Sequence, residues 1–379
     1  MSDIFIAGGG PAGLIATLAL ARQGYGVTLA DPAPRHADAR STAFLAPSVR
    51  FLETLGLWDK LASDAVPLEA LTLIDAVGTP PVERTRRTFV ASDHDLTAFA
   101  MNVPNDVLLA ALDTELGNLP VRRLALGCTS VFTRTTGAEV TLSDGSRLPA
   151  RLVIAADGRN SKLRERAGLG VRRQASGQIA LAFTATHDLP HGNVSLEIYT
   201  SGGPCTLVPI HDVKGKPASA VVWMDDSAKA LARLSNPDID AELTARTLGL
   251  MGEMKRVSPI GQWKVETLLA DEMSAERLAL IGEAAHVLPP IGAQGLNASI
   301  KDIATLTGLL GADPGADEPL QRYSRTRRAD LRVRGGAIDL MNSVTSSDQS
   351  LMLWLRQTGL KLAADVTPVR KVLVKAGLG

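Results

Sequence analysis

Six consecutive residues near the N-terminus, Gly8-Gly9-Gly10-Pro11-Ala12-Gly13, leave few options for how this chain begins to fold. Asp3 to Ala7 (DIFIA) precede them as a short apolar run, the pattern of a strand buried on both faces. Leu14 to Arg22 follow as a helix rich in Ala and Leu, which Gly24 and Gly26 stop before a second strand, Val27 to Asp31 (VTLAD). The expectation is a βαβ unit with parallel strands. Gly8, Gly10 and Gly13 fall on the G-x-G-x-x-G spacing at the strand-to-helix turn. Gly8 permits the tight turn, Gly10 lets the backbone approach a pyrophosphate, and Gly13 lets helix and strand pack closely. The helix N-terminus then holds phosphate charge. Asp31, closing the second strand, is placed to accept ribose hydroxyls. The pattern points to a dinucleotide and leaves FAD and NAD both open.

Further along, Pro47 to Ala62 reads as helical and Leu71 to Val90 as paired strands. Asn105 to Leu116 is an apolar-periodic helix with Asn105 as its cap. Val121 to Leu148 alternates like a meander, with Gly145 in a turn. Arg151 to Ala156 (RLVIAA) is a buried strand ending at Asp157-Gly158. Gln178 to Met224, with SLEIY, TLVPI and SAVVWM, suits a mostly antiparallel sheet. A helix is expected near Ile239 to Met254. Arg277 to Ile281 gives another buried strand, then a Gly-rich loop and a helix from about Leu296 to Leu310; the tail from Leu320 is helical and amphipathic. Three strand–Gly–helix units thus alternate with β-rich stretches. The simplest α/β architecture is one nucleotide-binding domain built from separated pieces around an inserted β-rich lobe.

At 379 residues there is room for that lobe. Lys and Arg number 40 against 40 Asp and Glu, so net charge gives no reason to expect nucleic acid as a partner. Cys128 and Cys205 are the two cysteines, too few for a disulfide framework and consistent with a reducing compartment. No stretch approaches the ~18 to 20 apolar residues of a membrane helix, and no secretion signal is evident. The expected setting is cytoplasmic, with attachment to the inner membrane face as the alternative. His36, His94, His187, His191, His211 and His286 show no metal spacing; His187 and His191 straddle Pro190, so no metal is expected.

Two further segments are more specific: VIAADGRNSKLRERAG, containing Asp157-Gly158, and GEAAHVLPPIGAQGLNASIKD, from Gly282 to Asp302. With the N-terminal loop and Asp38-Ala39-Arg40-Ser41-Thr42-Ala43-Phe44, they resemble the group A FAD-dependent aromatic hydroxylases, and within them most closely the ubiquinone-biosynthesis hydroxylases. The likeness covers essentially the whole chain, including Tyr323, Arg325, Arg327 and Arg328 near its end. It implies a discontinuous Rossmann-like FAD-binding domain over 1–72, 96–177 and 266–330. A β-rich substrate domain would occupy 73–95 and 178–265, and a C-terminal helical region 331–379.

The resemblance also implies site residues. Gly8, Gly10, Pro11, Ala12, Gly13 and Asp31 would hold the ADP half of FAD, and Arg40 would contact the flavin or its phosphates. Asp157 and Gly158 would sit near those phosphates and the NAD(P)H path. Gly282 and Glu283 would face the ribityl-pyrophosphate region. His286 and Pro290 would lie beside the flavin ring as the candidate catalytic positions, His286 as proton relay or as hydrogen-bonded structural residue. Gly292, Ala293, Gln294, Gly295, Leu296 and Asn297 would place backbone N–H groups at the pyrimidine edge, where fixed dipoles stabilise the negative charge of reduced flavin.

Four positions depart from the family pattern. Glu283 replaces an Asp, Ala293 stands where a glycine is usual, Ala298-Ser299 lacks the second glycine after Asn297, and Asn105 replaces a basic residue. A positive φ at Ala293 would cost ~1 kcal/mol or more. Elsewhere the default assignments are unremarkable. Arg84 to Thr88 reads as a solvated strand, Arg325, Arg327 and Arg328 as helix surface, and Leu351, Leu353, Trp354 and Leu355 as a packing or membrane-touching tail. Pro204 to Pro209 (PCTLVP) is a candidate lining for the substrate face.

The expected function is hydroxylation of the aromatic ring of a polyprenylated ubiquinone precursor, with bound FAD, O2, and NAD(P)H as a transient co-substrate. Contact with a membrane surface or a quinone-biosynthesis complex is the expected partnership. A hydroxylase of a small soluble aromatic and a non-catalytic accessory subunit are the competing readings; the Trp-x-Trp-x-Ile-Pro signature of halogenases is absent.

Overall fold

In the computed structural model, which describes residues 2–32, 40–78, 80–200, 202–290 and 292–346, the opening apolar run forms the strand Ser2–Ala7. It pairs in parallel with Val27–Ala30 on one side and Arg147–Ala155 on the other. Ile4, Phe5, Ile6 and Ala7 are all essentially inaccessible, as a central strand requires. The full order of this sheet is Ser274–Ala275, Leu278–Leu280, Arg147–Ala155, Ser2–Ala7, Val27–Ala30, Arg122–Leu124, with the hairpin Cys128–Arg134 and Gly137–Leu142 joined to Arg147–Ala155. Helix Pro11–Arg22 packs against it and buries every residue from Gly13 to Leu20.

A second sheet is inserted into the first. Its order is His286–Val287, Gly261–Ala270, Val171–His187, Lys216–Asp225, Gly203–Val213, Val194–Thr200, Ala70–Val77, Val82–Val90. Pairing within it is antiparallel except between Val194–Thr200 and Ala70–Val77. The small sheet Ser41–Leu45, Ala100–Pro104, Val66–Leu68 bridges the two, and Asn102 Nδ2 donates to the Pro209 carbonyl at 2.8 Å across the junction.

Period-two alternation divides the inserted sheet. Leu181, Phe183, Cys205, Leu207, Val221 and Trp223 face helix Asn236–Arg246, whose Ile239 and Leu243 complete that core. The opposite face looks toward the nucleotide-binding sheet: Ala180 and Met224 join its core, and Val222 packs against it. Val208 on this face packs against Ala43, Leu45, Leu68 and Ala100, the cluster that Ala293 also touches.

Three expectations change. Helix Asn105–Gly117 has Pro104 rather than Asn105 at its N-cap; the Asn105 side chain instead accepts the Thr42 hydroxyl at 2.8 Å. The helix expected to reach Met254 ends at Arg246, because Leu248 and Gly249 both take positive φ and turn the chain. Helix Ala46–Thr54 is followed by two short 3-10 turns rather than continuing to Ala62. The C-terminal helix Asp317–Ser346 passes the strands Val194–Thr200, Gly203–Val213 and Gly261–Ala270. Asp38, Ala39, His36 and the apolar tail with Leu351, Leu353, Trp354 and Leu355 lie outside the described residues.

Candidate flavin site at the junction of three loops

The glycine turn is crowded on one side and open on the other. Gly8 has φ +117°, and a Cβ there would lie 2.2 Å from the Ala156 carbonyl oxygen; at Gly13 it would lie 1.9 Å from the Gly8 carbonyl oxygen. Neither position accepts a side chain. Gly10 has no such neighbour within 4 Å and is exposed, and it flanks a helix with no acidic residue in its first turn. That is the shape and polarity of an anion cradle. Pro11 occupies the first helical turn, where its missing N–H costs nothing. The Asp31 carboxylate lies against Gly9 and accepts Arg123 Nη2 at 3.0 Å; Arg123 also pairs with Asp113 at 2.8 Å.

The other two segments close on this turn. The Ala156 amide donates to the Ala7 carbonyl at 2.8 Å, which brings Asp157-Gly158 beside Gly8. Asp157 Oδ2 accepts the Leu163 amide at 3.3 Å, and Gly158 takes φ +84° with open space around it. Gly282, at φ +59°, approaches Ala12 closely enough that a Cβ would sit 3.0 Å from that of Ala12. Glu283 is held by a bidentate pair from Arg159, at 3.1 Å and 3.0 Å. Arg159 and Arg173 also flank buried Glu266 at 3.6 Å and 3.5 Å. Buried Arg164 donates to the carbonyls of Ala284 at 2.8 Å and Arg159 at 3.1 Å, stitching the second segment to the third.

Behind the third segment lies a network that sequence inspection did not find. Asp302 is fully buried and accepts Gly282 N–H at 3.0 Å, His286 Nε2 at 2.7 Å and Arg327 Nε at 2.8 Å. Desolvation pushes its carboxyl up, but His286 and Arg327 outweigh that, and the net shift is downward. Arg327 also donates to the Ala298 carbonyl at 3.2 Å and to Asp330 at 2.7 Å. The helix-surface expectation for Arg327 is therefore corrected: it is wholly inaccessible, because a buried carboxylate in the preceding helix needs its charge. Spacing within helix Asp317–Ser346 carries no sign of that partner.

The last segment turns sharply. Gly292 and Ala293 take φ +64° and +56°, so Ala293 does occupy the left-handed region. Gln294 Nε2 donates to the Gly292 carbonyl at 3.0 Å. Asn297 accepts the Leu45 amide at 3.0 Å and donates to the carbonyls of Ala43 at 2.9 Å and Ala293 at 2.6 Å, fixing the turn to the small sheet. Pro290, Gly292 and Gly295 are exposed, and Leu296 is half-buried. Arg40 places its guanidinium 4.7 Å from the ring centroid of Trp263, a partner that sequence inspection did not single out.

His187, His191 and the two cysteines are structural. His187 pairs with the Leu189 carbonyl and Ser219, and His191 with the Ile210 carbonyl; no metal-ligating group of three forms among the described residues. Burial pushes both the Cys128 and Cys205 thiols up to about 12, so neither offers a thiolate. Within the expected PCTLVP lining, Cys205 and Leu207 turn away toward the helices, while Val208 faces the nucleotide-binding side.

A parallel βαβ sheet with a glycine cradle, and an inserted sheet facing it, define a protein of the dinucleotide-binding class. The sequence profile described as FAD binding domain matches residues 1–332, and the chain belongs to that family of FAD-dependent aromatic monooxygenases. It is 30% identical over 395 residues to ubiquinone hydroxylase UbiL of Rhodospirillum rubrum, covering 100% of this chain and 90% of that one. Identity to 3-demethoxyubiquinol 3-hydroxylase of Escherichia coli is 28%, over 100% and 98% of the two chains. The fold matches p-nitrophenol 4-monooxygenase PnpA from Pseudomonas putida DLL-E4 with a TM-score of 0.81 at 19% identity, covering 100% and 98%. Klebsiella pneumoniae HpxO complexed with FAD and uric acid matches with a TM-score of 0.79 at 17% identity, over 99% and 96%. No helix among the described residues is long and apolar enough to cross a membrane.

Proposed function

We propose that this protein hydroxylates the aromatic ring of a polyprenylated ubiquinone precursor, using FAD, O2 and a transiently bound NAD(P)H. The observation that carries the reading is the likeness to hydroxylases named for ubiquinone, which extends over the whole chain. In this reading Gly8, Gly10, Pro11, Ala12 and Gly13 hold the pyrophosphate, and Asp31 the adenosine ribose. Arg40, Asp157, Gly158, Gly282 and Glu283 line the remaining phosphates and ribityl chain. Bound FAD supplies the two-electron and oxygen-activating chemistry. The N–H groups from Gly292 to Asn297, opening helix Gln294–Thr307, face the flavin edge that becomes negative. His286 is held by Asp302 as a structural support rather than as a mobile relay, and Pro290 borders the ring. The domain division 1–72, 96–177 and 266–330 against 73–95 and 178–265 assigns cofactor to the first part and substrate to the face of the inserted sheet that carries Val208. That face would exclude water from the bound ring.

The test is oxidation of NADH and NADPH by the FAD-loaded protein, offered prenylated phenols, short-chain phenols or none. Product mass gain of one oxygen atom with prenylated phenols supports the reading. Gain with short soluble phenols alone moves the assignment to a soluble aromatic, and stimulation by none makes the chain an accessory subunit. Co-sedimentation with anionic vesicles tests attachment to a membrane surface.

A further inference from the structure

We propose that Glu197 binds the ring hydroxyl of the aromatic substrate, a phenol, and takes its proton during hydroxylation; the assignment rests on the hydroxylase reading above. Glu197 sits mid-strand in Val194–Thr200 and is 6% exposed. Burying an acid at the centre of a sheet is costly unless something uses it. No cation among the described residues pairs with it.

Its direction follows from the register. Leu196 and its cross-strand partner Leu207 pack on the helix-covered side, so Glu197 and its partner Thr206 point the other way. Val222, opposite Thr206, packs against the nucleotide-binding core. Val208, two residues and so roughly 7 Å along the strand from Thr206, packs against the cluster that Ala293 touches. Glu197 therefore lies on the same sheet face as Val208, whose cluster meets the Gly292–Asn297 turn through Ala293. Leu73 and Val222 flank the Glu197–Thr206 pair in the same cross-strand row, and Tyr199, opposite buried Asp75, is the next residue along that face. Apolar Leu73 and Val222 on either side of that pair suit a hydrocarbon-substituted ring whose hydroxyl needs a polar partner.

Burial pushes the Glu197 carboxyl up, with the neighbouring Tyr199 hydroxyl acting in the opposite sense. A carboxylate shifted toward neutrality is a better match for a phenolic proton. In the step proposed, the substrate O–H bond breaks and an O–H bond forms on the Glu197 carboxylate. The electron pair remains on the ring oxygen and enriches the ortho and para carbons, one of which then bonds to the incoming oxygen atom.

The experiment measures calorimetric binding of 2-methoxy-6-geranylphenol and its O-methyl ether to the FAD-loaded full chain. The wild type is expected to bind the phenol at least tenfold tighter than the ether. Glu197→Leu should erase that preference without changing ether affinity. Glu197→Gln, which keeps the shape, should lower kcat for hydroxylation about a hundredfold with KM little changed, and Glu197→Asp should restore part of it. Unchanged phenol affinity in Glu197→Leu together with unchanged kcat in Glu197→Gln overturns the assignment and leaves the hydroxylase reading standing. A wild-type chain that neither retains FAD nor binds the phenol overturns both.

Discussion

At the scale of single residues, the conformational demands of the cofactor turn were legible because they are local. Gly8 needs φ +117° and a bare Cα beside Ala156, and no other residue type supplies both. Gly8→Ala should therefore leave the protein without bound flavin after gel filtration, with FAD affinity down at least tenfold. Ala293 is the converse case: the residue type departs from the family pattern, but the backbone keeps the left-handed conformation. Ala293→Gly should raise stability by about 0.5–1 kcal/mol in urea unfolding by releasing that strain. Glu283 shows the limit of local reading. Its extra methylene was visible in sequence, but the pairing with Arg159 joins two segments far apart in the chain, and neither segment alone shows it.

At the scale of elements, the strand–Gly–helix units stood out because apolar runs bounded by glycine have one common structural meaning. Helix ends were less legible: Leu248 reverses the chain with a residue type that ordinarily continues a helix. Least legible was the attachment of the C-terminal helix, which depends on Arg327 reaching Asp302 in helix Gln294–Thr307 and, through it, His286 and Gly282. Removing the charge from one member of a buried pair costs about 3–5 kcal/mol, so Asp302→Asn should be destabilised by that order at pH 7. The pH dependence has a definite sign. The folded Asp302 carboxyl titrates below its unfolded value of about 3.9, so its contribution is present above that pH and is lost as pH falls through the lower folded value. Melting curves from pH 7 to pH 3 should show the gap between wild type and Asp302→Asn narrowing only in the acid range.

At the scale of the whole molecule, the α/β class and the inserted β-rich lobe followed from the order of elements, whereas the direction each sheet face points did not. Periodicity shows that Leu196 and Glu197 part company; only the packed helix Asn236–Arg246 reveals which of them turns toward the cofactor side. Because the proposed flavin contacts draw on all three loop segments, FAD should stabilise the folded chain as a unit. At a hundredfold excess over its dissociation constant the gain should be about 2.7 kcal/mol. Thermal melts across an FAD titration should rise in a single transition, without a separately melting lobe.

The central strand Ser2–Ala7 is translated well before its neighbour Arg147–Ala155, and Leu278–Leu280 is made later still. One edge of that strand thus stays an uncovered apolar edge until Arg147–Ala155 has been made. Flavin loading has to wait for the third loop, and the charge from Arg327 that pins that loop arrives after it. Premature termination anywhere before the C-terminal helix should yield an aggregation-prone, colourless product, and a nascent chain of this design has particular need of a holdase until the last of its sheet is translated.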